Sequence, residues 1–421
     1  MTQIRSRNAA LLVALAMLGM LGMLTPAAHA ITHERKSAPP VLFNPGMAYD
    51  AADGQVVLFG GAGQPNYRGL TWTWDGNAWT ERHPKHTPSA RESMGMAYDA
   101  NTGEVVLFGG LGDGGLRRDT WTWNGTDWSQ RHPTHSPPSR DQAAMAYDAA
   151  HGQVVLFGGR LTQDVFGSDT WTWDGADWTR QHPGHSPSMR TLPGMAYDEA
   201  GGRVVLFGGA DAFGHILGDT WTWDGSHWAK QTPAHAPPDR SNMGMTNDST
   251  AHDVLLFGGW GGVDALADTW EWDGTDWTQV HPPTSPFPLF DLGMSDDPPD
   301  GGVILNGGYE IGTLPTPETW TWNGVTWDRH ASGWIAVSPR SGPAGSTVRV
   351  RGWAFIGGAS VKLTFVDASH DRTVLTVLRT DIFGNFSMDV AIPSDASQGD
   401  GLVKATEYAR ERVTSRAFTV T

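Results

Sequence analysis

Three residue types in this chain have the chemistry and spacing to suggest a site, and all three recur at fixed intervals. Histidines stand as His83/His86, His132/His135 and His182/His185, with His235 and His281 alone at the matching places. Two imidazoles three residues apart could clamp a zinc or copper ion. The pairs fall at equivalent points of successive units of 49 or 50 residues, however. Repetition spreads them apart and makes them turn residues, so no metal and no other cofactor is expected.

Aspartates Asp119, Asp169, Asp219 and Asp268 recur in the same way, with Glu318 in the last unit. Catalysis needs unique groups with displaced pKa values, so near-identical copies point to a structural task, accepting N–H groups of the preceding loop. Arginines Arg91, Arg140, Arg190 and Arg240 stand five residues before a repeated methionine, and Leu42 and Leu289 take that place in the first and last units. Two readings stay open for them. A partial ring of guanidinium groups would make an anion-attracting mouth on an acidic chain; alternatively, each arginine ties a loop to nearby carbonyls.

In a repeat protein, ligand chemistry is best sought where the copies differ. The most divergent segments are Ala62 to Leu70, Leu111 to Arg118, Arg160 to Ser168, Ala210 to Gly218, Trp260 to Ala267 and Tyr309 to Pro317. They carry Tyr67, Arg68, Arg117, Arg118, Arg160, Asp164, His215, Trp260 and Tyr309, beside Asn66, Phe166, Asp211, Phe213, Asp264 and Glu310. Aromatics mixed with Arg and Asp on loops of a rigid scaffold suit a glycan or a protein partner. The competing reading is neutral drift of exposed loops.

The elements that hold these loops are legible from the repeat. Arg118 to Trp128 recurs nearly unchanged as Ser168 to Trp178, Gly218 to Trp228, Ala267 to Trp277, Pro317 to Trp327 and, more loosely, Gly69 to Trp79. Eighteen of the 21 tryptophans belong to these six copies. That places them as packing between repeats rather than sugar platforms. Gly-Gly pairs ending at Gly61, Gly110, Gly159, Gly209, Gly259 and Gly308 set the phase.

Each unit, within the span from about Pro45 to His330, contains four strand-like runs. The first is typified by Met96 to Asp99. The second, Val105 to Phe108, is apolar at both parities and therefore buried on both faces. The third, Thr120 to Trp123, puts tryptophans on one face and threonines on the other. An Asn-Gly or Asp-Gly turn then leads to the fourth, at Trp128. A sheet buried on both faces needs a neighbour on each side, and radial repetition supplies it, which makes a β-propeller of six blades.

The Gly-Gly pair closing the second strand, the aromatic in the third and the Trp opening the fourth resemble the kelch family. The turn between the last two tryptophans is shorter than many kelch repeats carry. From about Trp334 the pattern changes to seven short alternating strands, and Ser338 to Ser346 resembles the opening of the immunoglobulin-like IPT/TIG modules of bacterial exported proteins. The expected fold is therefore all-β: a six-bladed kelch-type propeller over 45–331, then an immunoglobulin-like β-sandwich over 335–421.

Met1 to Ala30 reads as a secretory signal, with Arg5 and Arg7, an apolar run from Ala9 to Leu24 and an Ala28-His29-Ala30 cleavage site. Residues 31–44 are a lead-in, and Ile31 to Arg35 resembles the start of a fourth strand such as Trp79 to Arg82. Losing Arg5 and Arg7 with the leader would take the net charge from −16 to −18. Such a chain repels nucleic acid and anionic lipid, and no second apolar run approaches spanning length. The absence of cysteine in the sequence excludes disulfides and thiol catalysis.

A propeller followed by a sandwich resembles the galactose oxidase architecture, but the copper-radical site of those enzymes uses a crosslinked cysteine that this sequence lacks. A periplasmic sialic acid mutarotase also uses a six-bladed kelch propeller, without metal, although no constellation here matches it. The Asp-box of sialidases is absent. The expectation is an exported binding or scaffold protein, secreted or at the cell surface with the periplasm as an alternative. A carbohydrate-active enzyme is the competing reading.

Overall fold

A computed structural model describes residues 39–421, apart from 41, 64–65, 310–317, 331–333, 354, 356–357, 382–383 and 408–411. The expected leader, Met1 to Ala30, and the strand-like Ile31 to Arg35 lie outside the described residues. Within them the chain is all-β, with one 3-10 turn at Pro298–Asp300 and no α-helix.

Six four-stranded antiparallel sheets follow one another, each in plain sequence order from the first strand to the fourth. The second sheet is typical, with strands Gly95–Asp99, Glu104–Phe108, Thr120–Trp123 and Trp128–Arg131. Its second strand is buried on both faces, Val105, Val106 and Leu107 being fully inaccessible. Each sheet therefore has to share its apolar faces with two neighbours, and the hydrophobic clusters do mix residues of adjacent sheets.

The repeated tryptophan hairpin is the joint. The fourth-strand indole N–H donates to a threonine hydroxyl of the preceding sheet: Trp128 to Thr71, Trp178 to Thr120, Trp228 to Thr170, Trp277 to Thr220 and Trp327 to Thr269, at 2.9 to 3.0 Å. The same rings meet a phenylalanine of that sheet edge-on, as in Phe59–Trp128 at 5.2 Å and Phe108–Trp178 at 5.2 Å. Trp79 of the first sheet completes the series by donating to Thr319 of the sixth, at 2.9 Å. Its seam differs in one residue, because Asn306 stands where other sheets have phenylalanine and donates to Thr319 at 2.9 Å.

A second circuit closes nearer the axis. The amide of Ser93 donates to the carbonyl of Asn44, Gln142 to Ser93, Leu192 to Gln142, Asn242 to Leu192, Asp291 to Asn242 and Asn44 back to Asp291, at 2.8 to 3.3 Å. All six residues are left-handed, with φ between 50° and 60°. That conformation is costly for a side chain other than glycine, asparagine or aspartate. Successive sheets are also stitched through the Gly-Gly pairs: Gly110 donates to the Arg140 carbonyl at 2.8 Å. A Cβ on Gly109 would lie 2.5 Å from that same oxygen, so a residue with a side chain cannot sit there. This explains the glycine that phases the repeat.

Beyond the sixth sheet, all seven strands expected from the sequence are present, with an added two-residue strand at Ser341–Gly342. They form one three-stranded and one five-stranded sheet. Ile335, Val348 and Val350 from one sheet and Val361, Leu363, Phe418 and Val420 from the other share a single core.

The left-handed circuit makes a stability prediction. Leu192 is the one purely apolar member, and asparagine occupies the same place at Asn44 and Asn242. Leu192→Asn should raise stability by about 0.5–1 kcal/mol in chemical denaturation, by relieving part of the left-handed cost of about 1–2 kcal/mol. A loss of stability would show that the leucine contacts matter more than the backbone.

Candidate functional site

The four repeated arginines are interior residues. Arg140 is 1% exposed and spans two seams of the architecture. Its amide donates to the Arg117 carbonyl of the preceding sheet. Its guanidinium donates to the Gly158 carbonyl at 2.8 Å and to both carboxylate oxygens of Asp169 at 2.8 Å. Arg91 pairs likewise with Asp119, Arg190 with Asp219 and Arg240 with Asp268. Each aspartate also accepts the indole N–H of the tryptophan two residues on, at 2.7 Å.

These facts match the tie to carbonyls, one of the two readings open for the arginines, and correct the one given for the aspartates. The arginines present no positive mouth, since their charge is spent on internal carboxylates and carbonyls. The aspartates accept guanidinium and indole donors, rather than serving mainly as acceptors for loop amides. Burial alone would raise the four carboxyls, but the hydrogen bonds and charge of the arginines, helped by the indoles, outweigh it and lower them. In the first and sixth units, where Leu42 and Leu289 replace arginine, the aspartate is replaced too, by Leu70 and Glu318. Arginine and aspartate come and go together, and this signal was available in the sequence.

Three of the connector histidines are also committed. The amide and Nδ1 of His86 both bond the Asp127 carboxylate at 2.8 Å; His135 does the same with Asp177 and His235 with Asp276. His86, His135 and His235 thus clip their connectors to the next sheet's turn.

The described parts of the variable loops lie at one end of the sheets, where first strands enter and second strands leave. Their candidates divide by place. Tyr67 is half-buried and bridges Ala62. Arg68 and Arg117 lend carbonyls to the amides of Arg91 and Arg140, and the Arg117 guanidinium packs over Gly112 and Gly114 of its own loop. Arg118 is exposed, its carbonyl accepting the Ser136 hydroxyl. Asp164 and His215 sit exposed on loop tips, His215 against Asp211 at 2.9 Å. The sixth loop is described only at Tyr309, so Glu310 lies outside the described residues.

Arg160, Trp260 and Tyr309 belong to a more organised surface around the axial circuit. Arg160 grips both oxygens of the buried Asp141. Trp260 packs on Phe290 with ring centroids 5.4 Å apart, and Phe290 on Tyr309 at 5.2 Å, forming an aromatic row across the fifth and sixth sheets. Beside it, the Asn44 side chain hydrogen-bonds both Glu92 and Asp291. Burial, and for Glu92 the charge of Asp291, pushes these carboxyls up to about 7 and about 6. Both would exchange a proton near neutrality.

Sequence reasoning passed over Glu92, Asp141, Phe290, Asp291 and Asn44. They follow the repeated arginine or leucine, where the copies read Leu42-Phe43-Asn44, Arg91-Glu92-Ser93, Arg140-Asp141-Gln142 and Leu289-Phe290-Asp291. Divergence between copies, the criterion that selected the loops, marks these positions as well. No family model matches the chain, and no curated protein is significantly similar to it.

Two predictions follow from the charges. Arg140→Met strands Asp169 in a largely buried site and should cost about 3–5 kcal/mol in denaturant midpoint analysis, the range for breaking a buried pair. The pH profile should be two-sided. Glu92 and Asp253 are raised to about 7, and Asp50, Asp291 and Asp296 to about 6. The native state therefore holds protons the unfolded chain has lost, and stability falls as pH rises through that window. The arginine-bound aspartates are lowered, so their contribution is lost as pH falls below the ordinary aspartate value of about 4. The raised groups begin to cost stability as soon as the unfolded carboxyls ionise, so Tm should peak at about pH 4, where the two windows meet; a Tm constant from acid to neutral pH would contradict this.

Proposed function

We infer that this chain is a six-bladed kelch-type propeller, residues 45–331, joined to an immunoglobulin-like sandwich, residues 335–421, and that it is exported to bind a glycan through its loop end. The observation that carries this reading is the aromatic row of Trp260, Phe290 and Tyr309 beside polar and charged groups. All three rings are partly exposed, unlike the tryptophans of the joints. Flat rings flanked by hydrogen-bonding groups suit the apolar faces and hydroxyl edges of sugars. The acidic charge of −16 disfavours nucleic acid as the partner. Among the described residues no helix is long and apolar enough to cross a membrane.

A second reading, a carbohydrate-active enzyme, is favoured by one observation. Glu92 and Asp291, bridged by Asn44, hold protons near neutrality within reach of the aromatic row. Such carboxyls can act as general acid and base. Glu92→Gln would then abolish turnover while leaving binding in place.

A glycan array probed with residues 31–421 tests the binding reading. Trp260→Ala and Tyr309→Ala should each weaken the positive signals at least tenfold, the order expected for an aromatic anchor worth about 1.4 kcal/mol or more. Signals unchanged by both substitutions, or capture of proteins alone, would overturn the glycan assignment.

A further inference from the structure

The far end of the axial channel, away from the variable loops, opens into a cavity of about 280 Å³. The first four sheets build it with Tyr49, Tyr98, Tyr147 and Tyr197, one from each first strand. These rings reach across the seams. Tyr98 accepts the amide of Ala52, Tyr147 that of Asn101 and Tyr197 that of Ala150, each in the preceding sheet's hairpin.

The last two sheets break the pattern. Asn247 and Asp296 occupy the tyrosine positions, and Thr246 and Ser295 stand where the others have alanine. Asp296 takes over the phenol's bond to the neighbouring hairpin, accepting the Ser249 amide at 3.2 Å and the Asn247 side-chain amide at 3.3 Å. Its own amide donates to the Thr246 hydroxyl at 3.2 Å. The seam is kept, but two aromatic rings are missing from the cavity wall. The innermost strand is an edge strand in every sheet, so backbone donors and acceptors border the same space.

The geometry points to a binding site for a neutral polyol of monosaccharide size, held by Asn247, Asp296, Thr246 and Ser295 beside Tyr49. Size and chemistry select this class. At about 280 Å³ the cavity lies just under the size of ordinary small-molecule sites, which run from about 300 Å³ upward, and so suits only a small ligand. A carboxylate on the wall opposes anions. Both oxygens of Asp296 already accept N–H groups, which disfavours a bare metal cation. Hydroxyl, amide and carboxylate groups at unrepeated positions next to a phenol offer the mixed donors and acceptors that a polyol requires.

Saturation-transfer NMR on the full chain with glucose, galactose, N-acetylglucosamine and myo-inositol tests the site. Transfer is expected from at least one probe. Restoring the repeat's own residue with N247Y/D296Y should fill the space and abolish transfer, with at least a tenfold loss in titrations and Tm unchanged or raised. If that variant fails to fold, Asp296→Asn decides, and a fivefold or greater weakening is expected. Transfer from none of the probes, or transfer that survives these substitutions, overturns the proposal. Transfer lost instead in Trp260→Ala or Tyr309→Ala would place the sugar at the loop end, overturning this site and supporting the other.

Discussion

Every sheet in the repeated region has a second strand buried on both faces. Val105 to Phe108 and their counterparts are buried from both sides, so a single sheet would leave one apolar surface in water. At about 25 cal/mol per Å² of exposed apolar area, no isolated repeat could bear that. The remainder of the repeated region answers this constraint. The tryptophan joints, the Gly-Gly stitches and the axial circuit are three independent ways of fastening each sheet to the next, and the last sheet to the first.

The fastening explains why so many conspicuous residues proved structural. Buried guanidinium, carboxylate and indole groups are costly unless each has its partners. In four units arginine, aspartate and tryptophan supply one another. Where arginine gives way to leucine, the aspartate goes as well, to Leu70 in the first unit and to Glu318, which still accepts the Trp320 indole, in the sixth. The chemistry that remains free is concentrated in positions that the repeat does not dictate: the aromatic row, the carboxyls bridged by Asn44, and the widened end of the channel.

The sequence was most informative where physics repeats. Period-two tryptophans, both-parity strands and Gly-Gly spacing placed nearly every strand of the repeats, and the seven later strands were read within a few residues. Individual partners were less legible. Nothing local in Arg140 names Asp169, 29 residues away, although their joint absence in the outer units would have suggested it. Likewise Phe290 becomes an aromatic platform only when strand pairing sets Tyr309 beside it and a seam brings Trp260 to its other side. Nor does Tyr49 reveal a channel lining until Asn247 and Asp296 are aligned with it.

The seam between the sixth and first sheets has a consequence for assembly. Chain order leaves the face of Trp79 without its partner until the last repeat is complete, whereas every other interface can form as soon as the next repeat exists. Closing across the whole repeated region is a long-range step, slower than pairing neighbours. Asn306 puts an amide where its counterparts have a phenyl ring, so the waiting face of Trp79 meets a less apolar partner than the tryptophans of the other five seams do.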